Sequence, residues 1–286
     1  MNAADIVIRD LSGQFEMRKA EELQKEVWGF PDIDVVPLTQ MVAVKASGGI
    51  VIGAFDGEIL AGFAYGFVGY EDGRVTHHSH MLAVRPGYRS LNIGYLLKLE
   101  QRRRALEQGF DQMTWTFDPL QSVNAYFNFS KLGVVSDRYF VNFYGEKAAS
   151  FLHRNGTDRL WVTWLLNSTE VCDRLNGISP SFEVGGVLPM TEVEQDLTPS
   201  CRGLDQLRSG DQPVIEIPAD MASATRLSRE ITLLWREATR AAFTEAFAHG
   251  YYVDGFYRED RGGQKVGRYL LKENRSAADE KGKKNE

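Results

Sequence analysis

Apolar and polar positions switch between a two-residue and a roughly four-residue period along this chain, and the switches lay out its elements. Ile6 and Ile8 alternate with Val7 and Arg9, which predicts a first strand over 5–10. From Glu16 to Val27 the spacing of Ala20, Leu23, Gln24 and Val27 predicts a helix, broken by Trp28-Gly-Phe-Pro31. Leu38–Ala46 reads as a second helix that Ser47-Gly-Gly49 ends in the manner of a glycine cap. Ile50 to Tyr70 is apolar enough to suggest a membrane span, but Asp56-Gly57-Glu58 interrupts its centre. Asp-Gly is a favoured two-residue turn, so a hairpin is the better reading.

The pattern continues with a strand over 75–84, a helix over 89–108 and a strand over 111–117, where Met113, Trp115 and Phe117 alternate with Thr114 and Thr116. A short helix over 122–131 stops at Leu132-Gly133, and strands follow over 134–144 and 158–166. Residues 167–212 mix Gly, Pro, Ser and Thr with scattered charge and read as a linker-like region with a few short strands. Beyond them come a strand over 214–218, a helix over 228–249 and a hairpin over 251–258 and 266–272. Ile231, Leu234, Trp235, Ala238, Ala242, Phe243, Ala246 and Phe247 make a wide apolar stripe on that helix. The division expected is a first domain over 1–166, the linker-like region, a C-terminal β-α-β-β extension over 213–273, and a disordered tail over 274–286. The mixture of strands and helices along the chain makes the expected fold class α/β (α+β).

Composition adds exclusions. With 43% hydrophobic and 25% charged residues the chain is an ordinary globular sequence, and its net charge of −6 argues against a nucleic-acid partner. Cys172 and Cys201 lack a CxxC spacing, which argues against a disulfide framework or a zinc ribbon. No basic-then-apolar leader opens the sequence, so the expected location is cytoplasmic, with no membrane partner. The amphipathic C-terminal helix and hairpin either cover their own domain or pair with a second copy as a homodimer.

The stretch with the most chemistry is Leu82-Ala-Val-Arg-Pro-Gly-Tyr-Arg-Ser-Leu-Asn-Ile-Gly-Tyr95. An apolar strand ends at Val84, Pro86 and Gly87 break it, and a helical period follows. A helix beginning there aims unpaired N–H groups and a partial positive charge at whatever sits beyond its first turn. Arg89 adds a two-pronged partner for the same anion. The turn reads as a pyrophosphate site, or as one of the many strand–loop–helix joins that bind nothing.

This stretch resembles the coenzyme A signature of the GNAT superfamily of N-acyltransferases. Leu82, Val84 and Pro86 match its strand end, Arg89 and Gly94 its loop, and Asn92 stands where the family has Gly. Asn is the non-Gly residue that most readily takes a left-handed backbone, so the loop shape is expected to survive. Longer strings extend the likeness to a branch of the family carrying a C-terminal extension: Ser79-His-Met-Leu-Ala-Val84, Thr114-Trp-Thr-Phe-Asp-Pro-Leu-Gln121, Asn124-Ala-Tyr-Phe-Asn128 and Trp235-Arg-Glu-Ala-Thr-Arg240. The resemblance implies a GNAT-like fold, a mixed, mostly antiparallel sheet flanked by helices, and transfer of an acetyl or succinyl group from coenzyme A to a small amine, with an amino acid as one acceptor. It implies that Leu82, Ala83, Val84, Arg89, Ser90, Asn92, Ile93, Gly94 and Tyr95 hold acetyl-CoA or another acyl-CoA, and that Asn124 binds the pantetheine amides.

Acyl transfer to an amine also needs a base and a proton for the leaving thiolate. Alternation puts His78 and His80 on one face with Leu82 and Val84, where the family often has a Glu, and a His has nearly the right pKa unaided. A packed strand His is the alternative. A shared metal is another, although no third ligand stands at a diagnostic spacing, so no metal is expected. The family's acidic Tyr falls on Phe129, and Tyr126 is the replacement candidate. Asp118, at a strand end, is either a base or a turn-starting Asp. Arg159 enters an apolar strand, where a carboxylate of the substrate or a structural ion pair would be its partner. The second functional reading is a coenzyme A-binding or scaffold protein that keeps the fold without turnover.

Overall fold

The computed structural model describes residues 6–145, 156–178, 186–208 and 211–274; the expected disordered tail lies outside these apart from Asn274. They fall into two units, and the chain passes from the first to the second between Trp115 and Thr116.

In the first unit, strands β1 (Ile6–Asp10), β2 (Ile50–Asp56), β3 (Ile59–Glu71), β4 (Arg74–Val84) and β5 (Gln112–Phe117, whose last two residues belong to the second unit) lie in sequence order. The first four are antiparallel neighbours, and β4 and β5 run parallel. The apolar 50–70 stretch is the expected hairpin, turning at Asp56–Ile59. Helices α1 (Gly13–Trp28) and α2 (Leu38–Ala46) bury Met17, Ala20, Leu23 and Met41 against Val51, Phe55, Phe63 and Tyr65. Gly29 ends α1 in the left-handed conformation. Helix α3 (Ile93–Glu107) follows the loop after β4. It begins four residues later than the sequence pattern suggests, because Pro86–Leu91 forms a 3-10 turn and Asn92 then reverses the backbone.

The second unit orders its strands β7 (Arg159–Leu165), β6 (Val135–Phe140), β11 (Tyr251–Arg261), β12 (Gln264–Glu273), β10 (Gln212–Pro218), β8 (Val187–Val193) and β9 (Pro199–Cys201). The expected short helix is split: α4 (Ser122–Ala125) runs into a π-helical turn over Tyr126–Leu132. The region that composition marks as linker-like is more structured than that. It holds α5 (Thr169–Leu175), β8 and β9, and β8 pairs in parallel with β10. Thr191 Oγ1 donates to the Glu216 carbonyl, so polar side chains here serve the sheet rather than solvent. A short helix, α6 (Met221–Leu227), precedes α7 (Arg229–Ala248). Trp235, Ala238, Ala242, Phe243 and Ala246 of α7 are buried, whereas Leu234 faces out.

Tyr269 anchors the core of this unit. Phe129, Phe243 and Phe256 meet it edge-on at 5.7, 5.1 and 4.8 Å between ring centroids, and its hydroxyl donates to the Pro119 carbonyl at 2.6 Å. Glu216, fully buried, is held by Arg261 at 2.8 Å and Arg268 at 2.7 Å. Such a carboxylate is tolerated inside because its charge and lone pairs are both met.

Candidate functional site

Strands β4 and β5 pair at only two positions, His77 with Met113 and His78 with Thr114. Beyond them β4 continues to Val84 without β5 as a partner, while its other edge stays bonded to β3 up to Gly62 and Val84. A parallel pair that ends early leaves one edge of Ser79–Val84 with amide groups directed away from the ladder. The register between β3 and β4 skips one residue: Tyr65 faces Met81 and Gly66 faces Ser79, so His80 is the extra residue of a bulge. Bulges re-aim side chains, and this one changes the expected alternation. The rings of His78 and His80 lie tilted against Phe67 at 5.3 and 5.6 Å between centroids, on the face where Met81 and Ala83 join the α1–α2 core. Leu82 and Val84 instead lie towards Gly94 at the start of α3. The two histidines share a face with each other, but not with Leu82 and Val84.

His78 is held by a chain of hydrogen bonds. Thr114 Oγ1 donates to the Glu71 carboxylate at 2.9 Å, which uses its one proton. The 3.1 Å contact between Thr114 Oγ1 and His78 Nδ1 must then be donated by the imidazole, leaving Nε2 as the basic nitrogen. Burial, with His80, Lys98 and His77 nearby, pushes His78 down to about 3, so it stays neutral at physiological pH. Burial also lowers His80. The described residues hold no group of three or more His, Cys, Asp or Glu side chains suited to a metal ion.

The loop after β4 turns into α3 through Asn92, at φ 59° and ψ 21°, the left-handed conformation its side chain tolerates. No side chain caps the N-terminus of this 15-residue helix. Arg89, Ser90 and Asn92 are exposed beside it, Gly94 and Tyr95 are half-buried, and Ile93 is core. Arg89 Nε donates to the Val84 carbonyl at 3.4 Å, which leaves the far edge of its fork directed elsewhere. An uncapped helix start with exposed Arg and Ser fits a phosphate-bearing group.

Behind β4 lies a group that the sequence reading missed. Lys98 on α3 is 3% exposed, donates to Ser79 Oγ at 2.8 Å, and sits 3.5 Å from the centroid of Trp115. Ser79 Oγ donates in turn to Gln101 Oε1 at 2.9 Å. Burial drives the Lys98 ammonium well below its usual range. Ile93, Leu97, Lys98, Gln101 and Ala105 share the buried face, so the helical period carried the signal that Lys98 points inward.

No family model matches this chain, and no curated protein matches it. Among solved structures it is similar to the ribosomal-protein-S18-alanine N-acetyltransferase from Escherichia coli, at 14% identity and a TM-score of 0.45, covering 63% of this chain and 97% of that one. It is also similar to a GNAT family acetyltransferase from Elizabethkingia anophelis with acetyl-CoA bound, at 14% and 0.44, covering 56% and 98%. A third is an acetyltransferase of the GNAT family from Streptococcus pneumoniae, at 15% and 0.44, covering 55% and 97%. In both units the strands pair mostly antiparallel and helices flank them, the α/β (α+β) class expected from the sequence.

The remaining expected site residues lie in the second unit. Asp118 is taken at both oxygens by Arg236, each bond 2.9 Å, and also accepts from the Leu120 amide. That arrangement is a structural ion pair. Asn124 is exposed, and Tyr126 is 37% exposed with Arg258 4.9 Å from its ring centroid. Phe129 is fully buried beside Tyr269. Arg159 is buried without a carboxylate partner among the described residues.

Proposed function

We propose that the chain is an acyl-CoA-dependent N-acyltransferase acting on a small amine. The observation that carries this reading is the end of β4: pairing with β5 stops at His78, and the freed segment leads through the Asn92 turn into an uncapped helix. Arg89, Ser90 and the amides around Asn92, Ile93, Gly94 and Tyr95 would hold the pyrophosphate. Leu82, Ala83 and Val84 would offer backbone groups along the pantetheine arm. Acyl-CoA supplies a thioester carbonyl with a good leaving group.

His80, on the bulge, is the base in this reading. It takes the proton that the amine loses as its nitrogen bonds to the carbonyl carbon and the carbon–sulfur bond breaks. His78, tied through Thr114 to Glu71, holds its face in place. The thiolate leaves near neutral pH without a dedicated side-chain acid. Acetyl or succinyl groups are the donors first to be tried, with amino acids among the acceptors.

A coenzyme A-binding protein without turnover is the second reading, favoured by Phe129 in the core where the family's acid stands. Continuous measurement of released thiol separates the two. The enzyme reading expects saturable release with one acyl-CoA and one amine, and an Arg89→Ala variant with its KM for acyl-CoA raised about tenfold or more while its melting temperature is kept. Binding of coenzyme A with no thiol release for any amine would establish the second.

A further inference from the structure

Arg159 opens β7, opposite Phe140 on β6. It is 8% exposed, and its Nη1 donates to the Asp158 carbonyl at 2.8 Å. Both carboxylates near it among the described residues, Asp118 and Asp158, are already taken. Arg236 grips Asp118, and Arg240 grips Asp158 at 2.9 and 3.0 Å. Asp158 also accepts from the Tyr139 hydroxyl and the Asn142 amide. Among the described residues three guanidiniums thus meet two carboxylates, and the unmatched charge belongs to Arg159. Neither Nε nor Nη2 of Arg159 bonds to any described residue. Burying a guanidinium in that state is costly, and burial accordingly pulls it below its usual range.

The surroundings are aromatic. The guanidinium carbon lies 5.2 Å from the centroid of Tyr144, which meets Phe143 edge-on at 4.8 Å. Phe143 in turn lies 5.3 Å from Phe140. Phe143 and Tyr144 are 39% and 41% exposed, a large share for aromatic rings packed on one another.

We propose that Arg159, with Phe140, Phe143 and Tyr144, forms a binding site for a carboxylate ligand with an apolar body. The Nε and Nη2 edge of a guanidinium offers two parallel donors, spaced for the two oxygens of one carboxylate. A carboxylate brings the single negative charge that this cluster lacks. A phosphate dianion would exceed it. The apolar body lies against the exposed faces of Phe143 and Tyr144. This site goes beyond the acyl-transfer reading and stands without it.

The test is calorimetric titration of the full chain, with no acyl-CoA present, using phenylacetate, phenylacetamide and inorganic phosphate. Phenylacetate should bind saturably and at least about tenfold more tightly than the uncharged amide or phosphate, and Arg159→Met should abolish that preference. The acid–amide comparison needs no variant, so it reads the site even if Arg159→Met folds poorly. Equal binding of acid and amide, absence of saturable phenylacetate binding, or tighter binding of phosphate would each overturn the proposal.

Discussion

Asp118 shows how a residue changes meaning when its partner is known. In the sequence it is a carboxylate at a strand end, where ligands of open sheets gather. In the structure both oxygens belong to Arg236, whose side chain is 4% exposed. Although burial works the other way, Asp118 holds the Arg236 guanidinium above its usual range. Asp118→Asn should therefore cost stability, about 3 kcal/mol by urea midpoint, because it strands a buried cation. A catalytic base would instead lower turnover and leave the midpoint unchanged. Arg236 could not have been foreseen as its partner: 118 positions separate the two residues, and no local spacing joins them. Asn92 was legible, since its backbone preference is local and the left-handed turn is the one it favours.

Elements were legible where one period ran uninterrupted. The stripe of α7 follows from helical spacing, whereas the hairpin of β2 and β3 was marked by the Asp56-Gly57 turn inside an apolar run. The bulge at His80 was not legible, because an extra residue leaves no mark in a pattern read one strand at a time. Its consequence was a wrong face assignment for Leu82 and Val84. Gly66, across from the bulge, explains how β4 fits: a Cβ there would lie 2.4 Å from His77 Nε2 and 2.8 Å from the His78 carbonyl. Gly66→Ala should accordingly push β4 outward and cost about 1–3 kcal/mol in a thermal or urea melt. A variant as stable as the native chain would show that the bulge is not held by this close approach. The linker-like composition of 167–212 misled for a related reason. Strand β8 finds its partner β10 only across an intervening β9, and such pairings are invisible to composition.

For the whole molecule, buried histidines set the response to acid. His77 is fully buried, its two ring nitrogens have no hydrogen-bond partner among the described residues, and burial with Lys98 nearby pushes it down to about 4. Unfolding returns it to its ordinary value of about 6.5. Between these values the unfolded chain binds more protons, so stability falls as pH drops through that window and is fully present above it. His77 alone should remove about 2 kcal/mol between pH 7.5 and pH 5, and His77→Phe should flatten the curve by that amount. Urea midpoints at the two pH values measure it; parallel curves for the variant and the native chain would assign acid sensitivity to other groups. The chain enters its second unit between Trp115 and Thr116, inside the six residues of β5. A gene cut at that border would sever a strand and leave each fragment with a frayed end. Recombination or deletion by whole units is thereby discouraged, and inheritance of this chain is expected to be of both units together.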